Sequence, residues 1–280
     1  MQVSAQQDSG DGVFASLYPA VAGMLPHNLA AHPMLTPDAL ADAAEAMNPD
    51  HVEVRRGDSD AGDEFAHLAA AAPVGDIIRT IEARGCWVML RYAEQLPAYR
   101  ALLEATLAPL ASVVAQQTGP MRDLRAFVFI SSSAAVTPFH CDPEYNILFQ
   151  IAGEKSFATW PAVPPYLTSA AEERLHTDGA NMLAWADEFA GAGTVHSLVP
   201  GQALFVPYKN PHLVRVVHGP SVSLSLTWKS DWSLAQDEAH RFNAAMRRVG
   251  LRPRPVPAWP ARTPVRTLAS KLLRRAGVTR

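Results

Sequence analysis

Along the chain of 280 residues, the spacing of apolar positions changes character near residue 120. Before that point apolar residues recur at helical spacing. Leu40, Ala43 and Ala44 follow Thr36-Pro37-Asp38, in which Thr36 can cap a helix and Pro37 fits its first turn, so a helix is predicted over 37–46. The spacing of Leu102, Leu103, Leu107 and Leu110 predicts another over 96–110, and 74–83 reads as a third. Residues 86–92, CWVMLRY, form a strand-like run. From about 124 the texture becomes short β-type runs between turn residues: 124–131, 145–151, 155–160, 203–207, 213–217 and 222–228. Ala152-Gly153-Glu154 reads as the turn of a hairpin joining the second and third runs. Beyond Trp228 the pattern returns to helix over 233–249 and ends in a Pro- and Arg-rich tail, where Val265, Leu268, Leu272 and Leu273 allow a short amphipathic helix over 265–276. No repeat with a period of about 20 to 50 residues is present. The prediction is a mainly β protein with flanking helices, its core a sandwich, barrel or jelly roll. The division is an N-terminal helical or irregular region, 1–83, packing on a β core, 84–232, with a C-terminal helix and basic tail, 233–280.

Composition narrows the class. With 48% hydrophobic residues the chain is too apolar to stay disordered, and two cysteines cannot make a disulfide scaffold. No apolar run reaches the ~18 residues of a membrane span. The opening MQVSAQQDSGDGVF has neither the basic start nor the apolar core of a secretory signal, and its first 14 or so residues are expected to fray. A soluble, cytoplasmic protein with Cys86 and Cys141 reduced is the expectation. The formal charge of −3 hides an asymmetry: residues 252–280 carry eight Lys or Arg and no acid, so the tail is +8 and the rest −11. Five prolines and no array of stacking aromatics accompany that charge, which disfavours nucleic acid as a partner and favours solvation or packing of the tail against its own body.

The chemistry concentrates in Thr137-Pro-Phe-His140-Cys-Asp142-Pro-Glu-Tyr-Asn146 and in Lys155 beyond it. His140 and Asp142 are two apart, so on extended backbone both project to one side. They supply two members of the two-histidine, one-carboxylate set that holds Fe(II) and leaves three positions open. Pro200-Gly201 to Pro211-His212-Leu-Val reads as a turn, a buried strand, a Pro-bounded loop, and a histidine opening another strand. In a jelly roll that strand returns beside the first pair, so His212 is the candidate third ligand. His196 and His218 compete: the first has no evident partner, and the second lies roughly 20 Å from the start of its strand at ~3.3 Å per residue. Cys141 should point away from the metal by alternation. Lys155 shares a face with Phe157 and Thr159, so a lysine inside the core would need an anion.

On these residues the sequence resembles the cupin-like JmjC oxygenases, closest in pattern to the factor-inhibiting-HIF type of asparaginyl hydroxylase. Thr137 lies three before the first metal histidine, Asn146 six after it and Lys155 fifteen after it, and Gln150-Ile151, Gly153, His212 and Trp228 also match. The resemblance covers about 120–230. It implies a double-stranded β-helix in which His140, Asp142 and His212 bind Fe(II). It further implies that Thr137, Asn146, Lys155 and Trp228 form the 2-oxoglutarate pocket, and that O₂ is consumed to hydroxylate a substrate C–H with release of succinate and CO₂. Leu226 stands where that pattern has Asn, so a pocket hydrogen bond must come from elsewhere, with Ser223 or Ser225 as candidates.

The substrate class stays open between a protein or peptide side chain and a small metabolite. N-methyl-lysine demethylation, a non-catalytic jelly-roll binder and a cupin using another metal are weighed beside hydroxylation; the complete ligand set and Lys155 favour the oxygenase. Arg125, Phe127 and Phe129 are offered as pocket lining. The segment 162–199 is long for a loop and reads as a lid, a substrate wall or a packed helical insert. The resemblance also implies a homodimer formed through the helix over 233–249.

Overall fold

The core is built from two strands far longer than the sequence pattern predicts. In the computed structural model, which describes residues 12–68 and 72–275, β6 (Tyr145–Thr159) and β9 (His212–Ser230) run antiparallel along their whole length, from Tyr145 opposite Trp228 to Thr159 opposite His212. Ala152-Gly153-Glu154 is therefore not a hairpin turn. It is a bend with register shifts inside one strand, and the runs 213–217 and 222–228 are likewise one strand.

Each half of this ribbon belongs to a different layer. The outer half carries β8 (Gln202–Val206) against β6 and β4 (Met121–Ser131) against β9, extended by β1 (Gly23–Pro26), β3 (Cys86–Arg91) and β2 (Val52–Arg56) in the order β1-β8-β6-β9-β4-β3-β2. The other half carries β5 (Val136–His140) on β9 and β7 (Thr194–Leu198) on β6. This is the jelly roll, a double-stranded β-helix with helices on its flanks. The region before residue 84 is stitched into the sheet by β1 and β2, so it is more than a helical layer packed on the core.

The bend solves a parity problem. Side chains alternate along a strand, and a strand that passes between facing layers keeps one face inward only if an irregularity shifts its count. Asn146 and Leu148 face the central cavity from the first half of β6, and Lys155 and Phe157 face it from the second. In β9 His212 and Val214 face it on one side of the bend, and Ser225 and Thr227 on the other. Even and odd positions exchange in both strands. Gly153 permits this at φ +69°, and an added Cβ would lie 2.6 Å from the carbonyl oxygen of His218. A smaller shift in β5, between Thr137 and His140 at Pro138, brings those two residues to the same face and leaves Phe139 in an apolar cluster behind.

Helices cover the outside. α1 (Pro37–Ala46) is capped by the Thr36 hydroxyl, which accepts from the Ala39 N–H at 3.3 Å. The predicted helix over 74–83 is α2 (Val74–Arg79) followed by a tighter turn at Ile81–Arg84. The stretch 97–118, α3 (Pro97–Leu107) and α4 (Ala111–Thr118) with a 3₁₀ turn between, is the one helical stretch among the described residues long and apolar enough to cross a membrane by length and composition. Its Tyr99, Leu103, Leu107 and Val114 are buried in the main core. The insert supplies α5 (Ser169–Asp178) and β7. α6 (Asp231–Arg248) is followed by α7 (Pro264–Arg275), which packs on it through Ser270 Oγ and Arg274 donating to the Glu238 carboxylate at 2.7 and 2.6 Å. The basic tail is thus folded back on its own chain. The expected fraying at the N-terminus falls largely on residues 1–11, and the predicted end of the last helix on residue 276, both outside the described residues.

Gly153→Ala is expected to destabilise the protein by about 1–3 kcal/mol, because it combines a left-handed backbone with a carbonyl in contact. The urea midpoint measures it, and an unchanged midpoint would show that the bend has room to relax.

Candidate metal centre and its pocket

The three candidate ligands converge because two strand ends meet. His140 closes β5 and His212 opens β9, and they are direct partners across that ladder, with ring centroids 4.1 Å apart. Each ring is held by a backbone carbonyl, the Nδ1 of His140 on Pro138 at 2.7 Å and that of His212 on Asn210 at 2.9 Å. With Nδ1 donating, each Nε2 keeps a lone pair, and the two Nε2 atoms lie 3.8 and 3.6 Å from Asp142 Oδ2. All three donor atoms fall within 4.8 Å of one another. Such carbonyl contacts fix the tautomer and aim of a ligating imidazole.

The surroundings tune this cluster. His212 stacks on Phe157 at 5.1 Å, and burial together with the neighbouring His140 lowers its pKa to about 4. Phe65 meets His140 edge-on at 5.3 Å, and the Arg55 guanidinium lies 4.3 Å above the Phe65 ring. Asp142 is oriented from two sides: Asn181 Nδ2 donates to its Oδ1 at 3.3 Å, and its carbonyl accepts from the Lys209 N–H at 3.1 Å. The Lys209 side chain in turn pairs with Glu172 on α5. The insert is therefore tied to the metal loop at two points, and Gly179 and Asn181 form part of the cavity wall.

The cluster opens into a cavity of about 420 Å³. Thr137, Asn146 and Lys155 all line it. Lys155 is 4% exposed and makes no hydrogen bond or ion pair among the described residues; its Nζ lies 5.7 Å from the centre of the Phe129 ring. Burial lowers its pKa to about 7. Asn146 Oδ1 accepts from Ser225 Oγ at 2.7 Å, so Ser225 supplies a polar contact where Leu226 cannot.

Trp228 requires correction. It lies in the main hydrophobic core, fully buried and stacked on Tyr145 at 5.7 Å, and it does not line the cavity. Alternation is the reason: Ser225 and Thr227 face the cavity, so Leu226 and Trp228 face the opposite side. Phe127 and Phe129 line the cavity, whereas Arg125 does not and pairs with Glu94 at 3.2 Å. His218 is exposed beside Glu154, and His196 sits by the Thr159 hydroxyl at 3.3 Å, both away from the cluster. Cys141 points into an apolar cluster with Phe139 and Trp160.

Two cavity residues, Arg55 and Glu144, and the buried Glu53 that holds Arg55 carry no signal in the motif. Glu53 and Arg55 are adjacent on one face of β2, and Glu53 holds both Arg55 and, at 2.5 Å, Arg91. In the string Val-Glu-Val-Arg the valines look like the inward residues, yet Glu53 and Arg55 are the buried pair. Glu144 follows Asp142 by two, and burial and the Asp142 charge raise its pKa to about 7. Its position in the motif was available; its orientation was not.

No protein-family model matches the sequence, and no curated protein matches it. Among solved structures, the chain is similar to the X-ray structure of Escherichia coli ycfD, at 12% identity and a TM-score of 0.50 over 95% of this chain and 67% of that one. It also aligns with structures of YcfD, a ribosomal oxygenase from Escherichia coli, in complex with cobalt and 2-oxoglutarate (13% identity, TM-score 0.48) and with cobalt and succinic acid (12%, 0.48), again over 95% of this chain. This chain spans about two thirds of the length of those proteins, 66% in both complexes. At such identities the likeness is one of fold.

Removing His212 is expected to abolish divalent-metal binding, with Co(II) as the calorimetric probe, while His218→Ala leaves it unchanged. Asn181→Ala should weaken binding by roughly 10- to 100-fold, the usual cost of losing an outer partner. Loss of metal in the His218 variant and its retention without His212 would overturn the ligand assignment.

Proposed function

We propose that this chain is an Fe(II)- and 2-oxoglutarate-dependent oxygenase that hydroxylates a C–H bond. The observation that carries the reading is Lys155: a buried amine with no carboxylate partner among the described residues, in the same cavity as a His-Asp-His cluster. A lysine so placed is costly unless an anion enters with it. On β9, Val216 opposite Lys155 is four residues from His212, roughly 13 Å along the strand at ~3.3 Å per residue. An extended lysine and a five-carbon dicarboxylate together can bridge that span. The donor set suits Fe(II), since two imidazoles and one carboxylate leave three positions for co-substrate and O₂.

Bound there, iron and 2-oxoglutarate supply the oxidation: one oxygen atom of O₂ enters the substrate C–H as hydroxyl, the other enters succinate, and CO₂ leaves. The chain's own part is placement. Lys155 and the Thr137 hydroxyl hold the distal carboxylate of the co-substrate. Asn146, fixed by Ser225, supplies an amide to the same pocket. Phe129, Leu148, Phe157 and Val214 keep the region between anchor and metal apolar, which strengthens the ionic contact at Lys155. The reaction class rests on this pocket, and a protein side chain or a small metabolite remains the proposed range of substrates.

Anaerobic addition of Fe(II) and 2-oxoglutarate is expected to give a visible metal-to-ligand charge-transfer band. In Lys155→Ala the 2-oxoglutarate concentration needed should rise at least about tenfold, consistent with loss of a charge-assisted contact worth ~1.5–3 kcal/mol, while Co(II) affinity is retained. Absence of the band in the unmodified protein would refute the oxygenase reading.

The lowered pKa of Lys155 gives a pH dependence with a definite sign. In the free protein the lysine loses its proton above about 7, and only the protonated form matches a carboxylate. Affinity for 2-oxoglutarate should therefore fall as pH rises through 7, approaching tenfold per unit, with proton uptake on binding at pH 8. In the free protein, Lys155 makes a contribution to stability that rises with pH from about 7 toward the ordinary lysine value, because over that window the unfolded chain holds the proton. Titration calorimetry in buffers of different ionisation enthalpy measures the uptake, and an affinity independent of pH from 7 to 9 would contradict it.

A further inference from the structure

Away from the metal centre, the C-terminal helices leave a second cleft. It lies between the end of α4, the start of α6 and the first two turns of α7, and its volume of about 450 Å³ is close to that of the central cavity. The proposed oxidation makes no use of it. Most polar groups in its wall are already satisfied. The Thr263 and Thr267 hydroxyls donate to the Ala235 carbonyl at 3.4 and 3.2 Å, and the Trp232 indole N–H donates to that of Ala261 at 2.8 Å. Asp231, the acid of the wall, pairs with Arg122 at 3.1 Å.

Three groups in the same wall are left over. Gln236 is 1% exposed, yet its Nε2 has no hydrogen-bond partner among the described residues. A buried amide donor left in this way is destabilising, and each such group calls for an acceptor. Arg262 and Lys271 are exposed and have no acidic partner among the described residues. Other cations on these helices are matched, Arg274 with Glu238 at 2.6 Å and Arg241 with Asp237 at 3.3 Å. The wall takes in two helix starts and one helix end, so the helix dipoles add a further positive end. Two unmatched cations and one unused amide donor, against a single acid already paired, leave the cleft short of a negatively charged acceptor.

We propose that this cleft is a second ligand site, which binds an oxyanion, a phosphate or carboxylate group, through Gln236, Arg262 and Lys271. An oxyanion has enough lone pairs to accept from the amide and from both cations, and contacts to ionised groups are the stronger class of hydrogen bond. The rim says what can be attached to it. Leu268 lines the cleft at 61% exposed, and Val265 and Leu272, three before and four after it on the same helix, are 79% and 54% exposed. These three residues share one helical face, on which an apolar body joined to the oxyanion can lie. Free phosphate and the headgroup of a lipid are the two sources of this chemistry. The assignment is independent of the reaction at the metal centre.

The test is calorimetry on the full chain, without metal, in a buffer free of phosphate and carboxylates. The probes are inorganic phosphate and octyl phosphate, and sedimentation with phosphatidylcholine vesicles, with and without phosphatidylglycerol, forms a separate arm. At least one phosphate probe is expected to bind, with affinity about tenfold or more lower in Gln236→Leu and in the double variant Arg262→Gln, Lys271→Gln. Binding should be unchanged in Lys155→Ala, which removes the cation of the central cavity. Equal affinity for the two phosphates would support the proposal with a free oxyanion as ligand. Tighter binding of octyl phosphate, with sedimentation that requires phosphatidylglycerol and both cations, would support it with a lipid headgroup. Failure of both phosphates to bind would overturn the proposal, as would binding that survives the double variant or that is lost in Lys155→Ala. The urea midpoint reports whether Gln236→Leu folds, and the exposed Arg262 and Lys271 decide the question if it does not.

Discussion

Everything at the site depends on two strands changing side-chain parity as they pass from one layer to the other. A regular 15-residue strand with Asn146 and Leu148 turned inward would turn Lys155 outward. The Gly153 bend reverses the count, and β9 reverses with it, so His212 and Ser225 reach one cavity from positions of opposite parity. The same device, smaller, acts at Pro138 in β5: Pro138 has no N–H to give the ladder, and the shift there sets Thr137 and His140 side by side. The metal cluster, the lysine and the Asn–Ser pair are each placed by an irregularity in pairing rather than by the regular sheet. A bulge-free version of this sheet would have the same strands and no site.

The electrostatics follow from that placement. Most buried charges are paired within the chain: Glu53 with two arginines, Glu94 with Arg125, Glu172 with Lys209, Glu238 with Arg274. Against this background, Lys155 and Glu144, both lining the cavity of the His-Asp-His cluster, are conspicuous for lacking partners among the described residues. Burying an unpaired charge costs stability, and the cost is recovered only when an ion of opposite sign arrives. The acidic excess of the body makes the asymmetry sharper. On the proposed reading, an incoming dianion would meet a locally positive anchor inside an otherwise negative body, and the contact at Lys155 rather than the long-range field would decide its binding.

The sequence was most informative where chemistry depends on near neighbours in the chain. His140 and Asp142 two apart, and a histidine opening the strand after a Pro-bounded loop, were sufficient to nominate the cluster that the fold brings within 4.8 Å. It was less informative where a glycine could be either a turn or a bulge, and Ala152-Gly153-Glu154 fits both until the partner strand is known. The edge strands β1, β2 and β7 were invisible because their pattern is polar or too short, and β2 hides its buried Glu53–Arg55 pair behind alternate valines. The error at Trp228 has a related cause: a position carried over from a pattern gives a residue its place along a strand but not its face. Leu226 and Ser225 show the same rule from the other side, since the polar group the pocket needs is supplied one residue away from where the pattern has it.

The insert explains why the metal loop can be rigid although it lies outside the regular sheet. Lys209 stands at φ +62°, a strained conformation for a residue with a side chain, and its N–H holds the carbonyl of Asp142. Its side chain reaches Glu172 on α5, Glu172 lies 3.4 Å from His240 on α6, and the His240 ring stacks on His176, whose Nδ1 is 3.0 Å from Asp237. These contacts join the loop after β8, the insert and the C-terminal helix into one buried polar unit behind the ligands. Because each member is held by a partner on a different element, displacing α5 would leave Lys209 without its carboxylate, while the two contacts of Asp142 come from Asn181, just beyond α5, and from the backbone N–H of Lys209 itself. The strain at Lys209 is therefore sustained by the packing of elements distant in sequence, and the insert and the loop after β8 together bear on the aim of the Asp142 carboxylate.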